Sequence, residues 1–291
     1  MNIFITGFES FIGKELRKHC EARGIQASGC DVAASDAKGC HKLDIRAPSI
    51  ADVIPEKADA LIHLAAISRD KDCREDTSTA FDANVNGTFN LIRAAKARGV
   101  KQFVFASSEW VYGTIQPGAV QTEDDPIDIT KMTSEYAMTK IIGERLLFNA
   151  QQRGLNAATV LRFGIVYGPR PKPQSAPEGL FQEVRTLDTV EIKGSLSSGR
   201  RFIHVSDISD GILASLGRTG FEIFNLGGNR VITFGEIIKE AAALLNRNPK
   251  VIETDPKAIN LRNPDNQKAR KAFSWEPKLD IKAGLATLPR S

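Results

Sequence analysis

Asn2-Ile3-Phe4-Ile5-Thr6-Gly7-Phe8-Glu9-Ser10-Phe11-Ile12-Gly13 opens the chain, and a helical pattern runs on from Lys14 to Arg23. An apolar strand, a glycine-bearing turn and a helix, in that order, are the context that a phosphate-binding fingerprint requires. Gly7 permits the tight turn and Gly13 lets the helix lie close to the sheet. The residues around the helix start, from Ser10 through Phe11 and Ile12, present unpaired N–H groups to a pyrophosphate. Ser10 stands where the fingerprint has its middle glycine, the point at which bare backbone approaches the phosphates. Two readings of Ser10 remain: a helix N-cap with no nucleotide nearby, or a hydroxyl that substitutes for close backbone approach. The second strand, Ile25 to Cys30, ends at Asp31, about 20 residues downstream, as a ribose-binding acid should. A carboxylate there accepts from both ribose hydroxyls and repels a 2′-phosphate, which predicts NAD over NADP. Asp44-Ile45, where the next excursion returns to the sheet, is expected at the adenine edge.

Outward from this turn the chain alternates. Strands are expected near 2–6, 26–30, 60–64, 102–107 and 157–163, with helices near 12–23, 77–98 and 132–152 among the connections. Such alternation implies a parallel sheet with right-handed crossovers. The expected fold is therefore α/β, a doubly wound, mostly parallel Rossmann sheet with a smaller C-terminal substrate lobe. Residues 1–168 are assigned to the dinucleotide-binding domain, with segments near 201–228 returning to it, and 169–291 mainly to the substrate lobe. Helices near 206–217 and 233–246 belong to this later part. From Arg170 to Ser198 the chain is rich in Pro, Ser and charge, and Pro169, Pro171, Pro173 and Pro177 block regular structure early on. A long irregular stretch of this kind is expected to be a substrate lid.

Composition bounds the class. The 291 residues are 42% hydrophobic and 25% charged, ordinary values for a globular protein, with a formal net charge of +4 from 39 basic and 35 acidic residues. No basic stripe points to nucleic acid, and a mild positive bias suits an anionic cofactor and substrate. No apolar run approaches the ~20 residues needed to span a membrane, and the first residues read as a strand and not a signal peptide. The four cysteines, Cys20, Cys30, Cys40 and Cys73, lack CxxC spacing, which predicts reduced thiols in a cytoplasmic protein. Four scattered histidines give no metal-ligand spacing, so no metal site is expected.

The chemistry is expected at Ser107-Ser108-Glu109-Trp110-Val111-Tyr112-Gly113 and at Tyr136-Ala137-Met138-Thr139-Lys140. Four residues make about one helical turn, so Tyr136 and Lys140 share a face. A tyrosine titrates near ~10, and bringing it close to 7 requires about 3 units, roughly 4 kcal/mol of differential stabilisation, which a neighbouring cation favours. Ser108 closes the apolar strand Phe103-Val104-Phe105-Ala106, where α/β sheets place their ligands. A hydroxyl donor, a tunable phenol and an ammonium suit removal of an alcohol proton while a hydride leaves the same carbon.

With these residues in view the chain resembles the extended short-chain dehydrogenase/reductases, specifically the NAD-dependent epimerase/dehydratase branch that acts on nucleotide sugars. Besides the turn, Asp31 and Asp44-Ile45, the resemblance is carried by Ile62-His63-Leu64-Ala65-Ala66, Asn84-Val85-Asn86-Gly87-Thr88 and Gly143-Glu144. It continues through Leu161-Arg162-Phe163-Gly164-Ile165-Val166-Tyr167-Gly168-Pro169, Arg200-Arg201-Phe202-Ile203-His204-Val205-Ser206-Asp207, Phe224-Asn225-Leu226-Gly227 and Ser274-Trp275-Glu276-Pro277. It implies that Ser108 is the catalytic hydroxyl, Tyr136 the acid/base, and Lys140 the residue that binds the nicotinamide ribose and lowers the tyrosine pKa. Glu109 keeps a carboxylate at the site. Leu64, Ala65, Ala66, Asn84 and Ser107 line the cofactor path; His63 is expected to matter only through its backbone and neighbours. Arg200 is implied to grip a substrate pyrophosphate, with Arg262 as a second clamp. The helices Thr77 to Arg98 and Met132 to Arg153 imply a homodimer.

Three departures shape the reaction expected. Gly164 stands where many sugar-nucleotide epimerases have an Asn that helps hold the diphosphate. Ser108-Glu109-Trp110 replaces the Thr-Asp-Glu of the 4,6-dehydratases, and an indole cannot serve as a second carboxylate. The stretch between Arg262 and Asp265 looks trimmed around the expected clamp. The reading is an NAD-dependent epimerase of a nucleotide-linked sugar, working through a transient ketone. The alternatives are a net dehydrogenase or ketoreductase of a related sugar or sugar acid, and a non-catalytic NAD-binding regulator.

Overall fold

In a computed structural model of the chain, which describes residues 1–33, 36–113, 118–172 and 175–290, the opening apolar run is an interior strand of a seven-stranded sheet. Ile3, Phe4 and Ile5 are fully buried there, as a strand covered on both faces demands. The elements, in chain order, are β1 (Asn2–Thr6), α1 (Phe11–Ala22), β2 (Gln26–Asp31), β3 (Cys40–Lys42), α2 (Ile50–Val53), β4 (Ala60–His63), α3 (Asp70–Glu75), α4 (Thr77–Phe81), α5 (Gly87–Ala97), β5 (Phe103–Ser108), α6 (Glu135–Gln152) and β6 (Ala157–Phe163). After these come β7 (Val166–Tyr167), α7 (Ala176–Thr186), β8 (Thr189–Ile192), β9 (Gly199–Arg200), β10 (Ile203–His204), α8 (Val205–Ala214), β11 (Gly220–Leu226), β12 (Ile232–Thr233), α9 (Phe234–Leu245), β13 (Lys250–Glu253), α10 (Gln267–Phe273) and α11 (Ile281–Ala286). The sheet runs β11-β6-β5-β4-β1-β2-β3, and β1 pairs in parallel with both β2 and β4. The strand order reverses between β1 and β4, the place where doubly wound folds open a crevice for a ligand. The doubly wound Rossmann sheet expected from the sequence is the fold observed.

Two expected elements differ. The helix expected over 77–98 is interrupted: α4 passes into a π-helical turn at Asp82–Asn86 before α5. The extra residue that such a turn inserts carries the Asn84 side chain inward, where it is 3% exposed. The stretch from Arg170 to Ser198 is not irregular throughout, because it holds α7 and β8. Pro177 sits in the first turn of α7, where a missing N–H breaks no helical bond. The Glu178 carboxylate fixes the approach to that helix, accepting from Ser175 N at 3.3 Å and from Gly168 N at 3.1 Å. Pro173, part of the same expectation, lies outside the described residues.

The chain divides into two compact units, one of Met1–Thr114, Pro126–Arg162 and Ser209–Phe224, the other of Ile115–Asp125, Phe163–Ile208 and Asn225–Ser291. The first has its core between sheet and helices, with Phe4, Leu61, Phe103, Phe105, Leu91 and Leu147 in one cluster. The second is built around Tyr167, Phe181, Val184, Ile237 and Leu285. Here Trp275 Nε1 donates to Asp207 O at 3.2 Å, and the Asp207 carboxylate accepts Lys278 N and Leu279 N, each at 3.0 Å. These two motifs of the resemblance thus fix the C-terminal segment. Cys20, Cys30 and Cys73 are buried thiols, and Cys40, on β3, is half-buried. Among the described residues no helix is long and apolar enough to cross a membrane.

Candidate active site

The glycine turn is shaped by close approach. Gly7 has φ of +71°, and a Cβ there would meet Ala65 N at 2.8 Å. A Cβ on Gly13 would meet Gly7 O at 2.2 Å, so α1 can start this near the turn only without a side chain. Ser10 is the N-cap of α1, its Oγ accepting from Gly13 N at 3.1 Å. That bond occupies one lone pair and leaves the hydroxyl proton to donate. Phe11 and Ile12 begin the helix, as expected. Asp31 closes β2 and accepts Glu9 N at 2.9 Å and Ala33 N at 3.0 Å, which ties the carboxylate to the turn itself. Asp44 is engaged by Arg46, whose Nη2 donates at 2.6 Å and which also bridges to Asp82. Those bonds hold the Asp44 carboxyl below its usual range. The Ile45 carbonyl accepts from Asn90 Nδ2 at 2.8 Å.

The loop after β4 rests on a directed hydrogen-bond chain. Thr88 Oγ1 donates to Asn84 O at 2.6 Å, so it accepts from His63 Nε2 at 2.9 Å. His63 Nδ1 is then the acceptor for Thr6 Oγ1 at 2.7 Å, and Thr6 Oγ1 accepts Ala65 N at 3.3 Å. The tautomer follows from these partners. Burial, and secondarily the charge on Lys140, hold His63 neutral, well below its usual pKa. The Thr6 carbonyl takes Leu64 N at 3.1 Å, and Ala66 follows in the same half-buried loop. The Asn84 amide clamps the backbone of Ile67 from both sides, at 2.8 and 2.9 Å, and also donates to Thr139 Oγ1 at 3.1 Å. Asn84 therefore acts on the loop by bracing Ile67, a residue that sequence reading did not single out.

Ser108, Tyr136 and Lys140 come together in the first unit. Ser108 ends β5, caps a 3₁₀ turn at Glu109–Tyr112 by accepting Trp110 N at 3.3 Å, and its hydroxyl favours the charged form of the Tyr136 side chain. Glu109, 1% exposed, is the first residue of that turn. Tyr136 lies in the first turn of α6, whose N-cap Ser134 accepts Ala137 N at 3.1 Å and donates to Asp70 Oδ1 of α3. Lys140 Nζ lies 4.9 Å from the Phe105 ring centroid and 5.5 Å from that of Tyr136. Gly143 makes this packing possible, since a Cβ there would meet Phe105 Cζ at 2.5 Å.

The expected lowering of the Tyr136 pKa by Lys140 is not found. Burial first, and the Cys73 thiol second, push the phenol well above its ordinary value, opposed by the bond to Ser108. Burial also brings Lys140 down to about 8, opposed by Cys73 and Glu144. Desolvation penalises both charged forms, so at neutral pH the pair is a phenol beside an ammonium.

Behind the trio lies an ion pair that sequence reading left without a role. Arg162 and Glu144 meet at 2.8 Å with both side chains 4% exposed. Ser107 Oγ donates to the same carboxylate at 2.5 Å, and Arg162 Nη1 donates to Tyr112 Oη at 3.1 Å. Ser107 is thus engaged with protein. The four-residue interval from Lys140 to Glu144 was the available signal; nothing local pointed to Arg162.

The substrate candidates lie in the second unit. Gly164 N donates to Leu226 O at 2.8 Å, and a Cβ at 164 would meet Arg201 O at 2.6 Å. The absence of an Asn there is therefore imposed by the backbone of Arg201. β9 pairs antiparallel with β12, and Gly199 bridges in parallel to Leu261. One residue past that bridge stand Arg200 and Arg262, on adjacent segments, with Arg262 N donating to Gly199 O at 3.2 Å. Arg200 Nη1 donates to Gly199 O and Asn260 O, each at 2.7 Å. The short stretch after Arg262 is tied down: Asn263 Oδ1 accepts Arg201 Nε at 2.6 Å and Asp265 N donates to Gln121 O at 2.7 Å. Among the described residues no group of three or more His, Cys, Asp or Glu could hold a metal ion.

The family model described as the NAD dependent epimerase/dehydratase family matches residues 3–227. A UDP-glucuronate 4-epimerase of Thermodesulfobacterium geofontis is 31% identical over 229 residues, 78% of this chain and 70% of that protein. A dTDP-glucose 4,6-dehydratase of Streptomyces griseus is 31% identical over 235 residues, 78% of this chain and 70% of that protein. The crystal structure of the Thermus thermophilus UDP-glucose 4-epimerase in complex with NAD superposes with a TM-score of 0.84 at 25% identity, covering 99% of this chain and 97% of that one.

Proposed function

This chain belongs to the NAD-dependent epimerase/dehydratase family, enzymes of the extended short-chain dehydrogenase type that act on nucleotide sugars, and on that premise we propose that it is an epimerase inverting a carbinol carbon. The observation that carries the proposal is the grouping of Tyr136 with Ser108, whose hydroxyl favours the tyrosinate, and with Lys140, whose Nζ lies 5.5 Å from the Tyr136 ring centroid. Tyr136 would act as the phenolate, having first given up its own proton to solvent. Its Oη would then take the proton of the substrate hydroxyl while Ser108 Oγ holds the same oxygen as charge develops on it. The bound NAD supplies a two-electron hydride acceptor and a cationic ring. Lys140, charged at neutral pH, adds the second positive charge that a phenol at a raised pKa needs before it can act as a base. The ketone would then present its other face, and Tyr136 would return the proton to its oxygen as the hydride is restored to the carbon. Asp31 holds the adenosine ribose, while Ser10 and the N-terminus of α1 hold the pyrophosphate.

Dehydration is the less favoured outcome, because Trp110 stands where a second carboxylate would be needed and Glu109 alone cannot supply both acid and base. Arg200 and Arg262 grip the substrate diphosphate in this reading, with the second unit as the substrate lobe. Phe89 on α5 and Met138 on α6, 49% and 42% exposed, support a homodimer formed through these helices; light scattering on the purified chain tests it. The reaction is tested by incubating the protein with UDP-, dTDP- and GDP-sugars and resolving the 4-epimers. Release of NAD from denatured protein accompanies an epimerase, which regenerates its cofactor in place. Net consumption of added NAD would instead identify a dehydrogenase.

A further inference from the structure

Glu144 lies one helical turn beyond Lys140 on α6, and it is 3% exposed. Its carboxylate is held on both oxygens: Arg162 Nε reaches Oε1 at 3.1 Å, Arg162 Nη2 reaches Oε2 at 2.8 Å, and Ser107 Oγ donates to Oε1 at 2.5 Å. Arg162 comes from β6, and its guanidinium lies 5.0 Å from the Tyr112 ring centroid as well as bonding the phenol. One carboxylate thereby joins the helix that carries Tyr136 and Lys140, the strand end that carries Ser108, and the turn that follows it. Apolar residues of the same volume commonly match a buried ion pair in stability, so packing alone does not call for these residue types.

The surroundings of Lys140 give the charge a purpose. Cys73 faces it from α3, with Asp70 and Asp72 of that helix and Glu135 of α6 acting on the thiol in turn. His63 faces Lys140 from β4, and Tyr136 and Glu144 lie along α6 itself. His63 is neutral, the Cys73 thiol is pushed up to about 11, and the Tyr136 phenol is pushed higher still. Glu144, ion-paired with Arg162, is then the carboxylate that acts on the lysine from its own helix.

We propose that Glu144 is a positioning residue, which keeps Lys140 in its ammonium form and sets Ser108 in register with Tyr136 through Ser107. The proposal rests on the reading of Ser108, Tyr136 and Lys140 given above. Its test does not depend on turnover, because the Lys140 titration is read directly by side-chain ¹⁵N NMR of the full chain, with the resonance assigned by its loss in Lys140→Met. In the parent protein the ammonium should titrate at about 8. In Glu144→Gln the midpoint should fall by about one unit, tenfold in the ratio of charged to neutral lysine, and the alkaline limb of kcat should move by the same amount. Glu144→Asp keeps the charge and shortens the reach, so its midpoint should stay in place while kcat drops. If Glu144→Gln does not fold because Arg162 is left unpaired, Glu144→Gln combined with Arg162→Met removes both charges and should show a smaller fall in the same direction, since Glu144 is the nearer of the two to Lys140 along α6. A Lys140 midpoint unmoved in the folded Gln variants overturns the proposal. If the midpoint falls while Tyr136→Phe stays fully active, the proposed base fails and the coupling of Glu144 to Lys140 stands.

Discussion

At Ser108, Tyr136 and Lys140 the functional groups are gathered within one unit: a serine hydroxyl that favours the tyrosinate, an ammonium over Phe105 and a carboxylate one turn on. At Arg200 and Arg262 the groups are carried on short neighbouring chains of the other unit, and Arg200 leans on the carbonyls of Gly199 and Asn260. In the first region burial sets the chemistry, because it moves pKa values and fixes geometry together. In the second, the Arg200 guanidinium is held by backbone carbonyls, and in the proposed reading it meets a substrate phosphate. The difference teaches that the proposed proton transfer and the proposed anion recognition rest on different physical supports, so substitutions in the two regions should affect different observables.

The sharpest way to break that division is Tyr136→Phe. Removal of the proton-transfer group should lower kcat by about 10²–10⁴-fold while NAD still binds and nucleoside diphosphates still inhibit. Activity within a few-fold of the parent would place the base elsewhere. Arg200→Ala probes the other side. Removal of one charge-assisted contact costs about 1.5–3 kcal/mol, roughly 10- to 150-fold in affinity, so inhibition by UDP, dTDP or GDP should weaken by that factor with NAD affinity intact. If Arg200 only braces Gly199 and Asn260, Tm falls and inhibition is unchanged. If none of these nucleotides acts on the parent at millimolar concentration, the substrate carries no nucleotide.

Asp31 tests whether the cofactor end follows the buried or the exposed pattern. Titration should show NAD binding at least about tenfold tighter than NADP, the equivalent of one charge-assisted contact, and Asp31→Ala should narrow the gap. Because Asp31 also accepts Glu9 N, Ala should weaken NAD itself as the turn loosens. Equal binding of both dinucleotides by the parent would remove Asp31 from the selection of cofactor. The smallest effect belongs to Ser10→Gly. Glycine replaces serine at an N-cap for only a few tenths of a kcal/mol, so any change in NAD affinity reports on the phosphates. Weaker binding means that the hydroxyl donates to them, tighter binding that its Cβ holds the loop away, and no change that Ser10 is a helix cap alone.

The same contrast decides what was legible in the chain. The turn from Gly7 to Gly13, Asp31 at the end of β2, and the interval from Tyr136 to Lys140 are local patterns, and local patterns fix local geometry. The fold followed from them. The pairing of Gly199 with Leu261 and the bond from Arg201 to Asn263 join residues about sixty positions apart, and no periodicity announces such a match. The π turn at Asp82–Asn86 escaped for a related reason: one inserted residue scarcely alters an apolar stripe, and the contact it serves, Asn84 with Ile67, lies 17 residues away. Gly164 was visible as a departure. Its cause, the Arg201 carbonyl at 2.6 Å from any Cβ, was not. The tyrosine pKa was misjudged because spacing shows that a cation is near and says nothing of the burial that outweighs it.

The unequal burial of the thiols has a practical corollary. Only a thiolate attacks an electrophile, and burial pushes Cys20 and Cys73 up to about 11 and Cys30 up to about 12. Cys40 has the solvent access that the three buried thiols lack, half-buried on β3 and directly opposite Gly29, two residues short of Asp31, so a maleimide dye should label it first. The native sequence already offers a labelling handle beside the adenosine end of the proposed cofactor site, so cofactor exchange can be followed by fluorescence without introducing a cysteine.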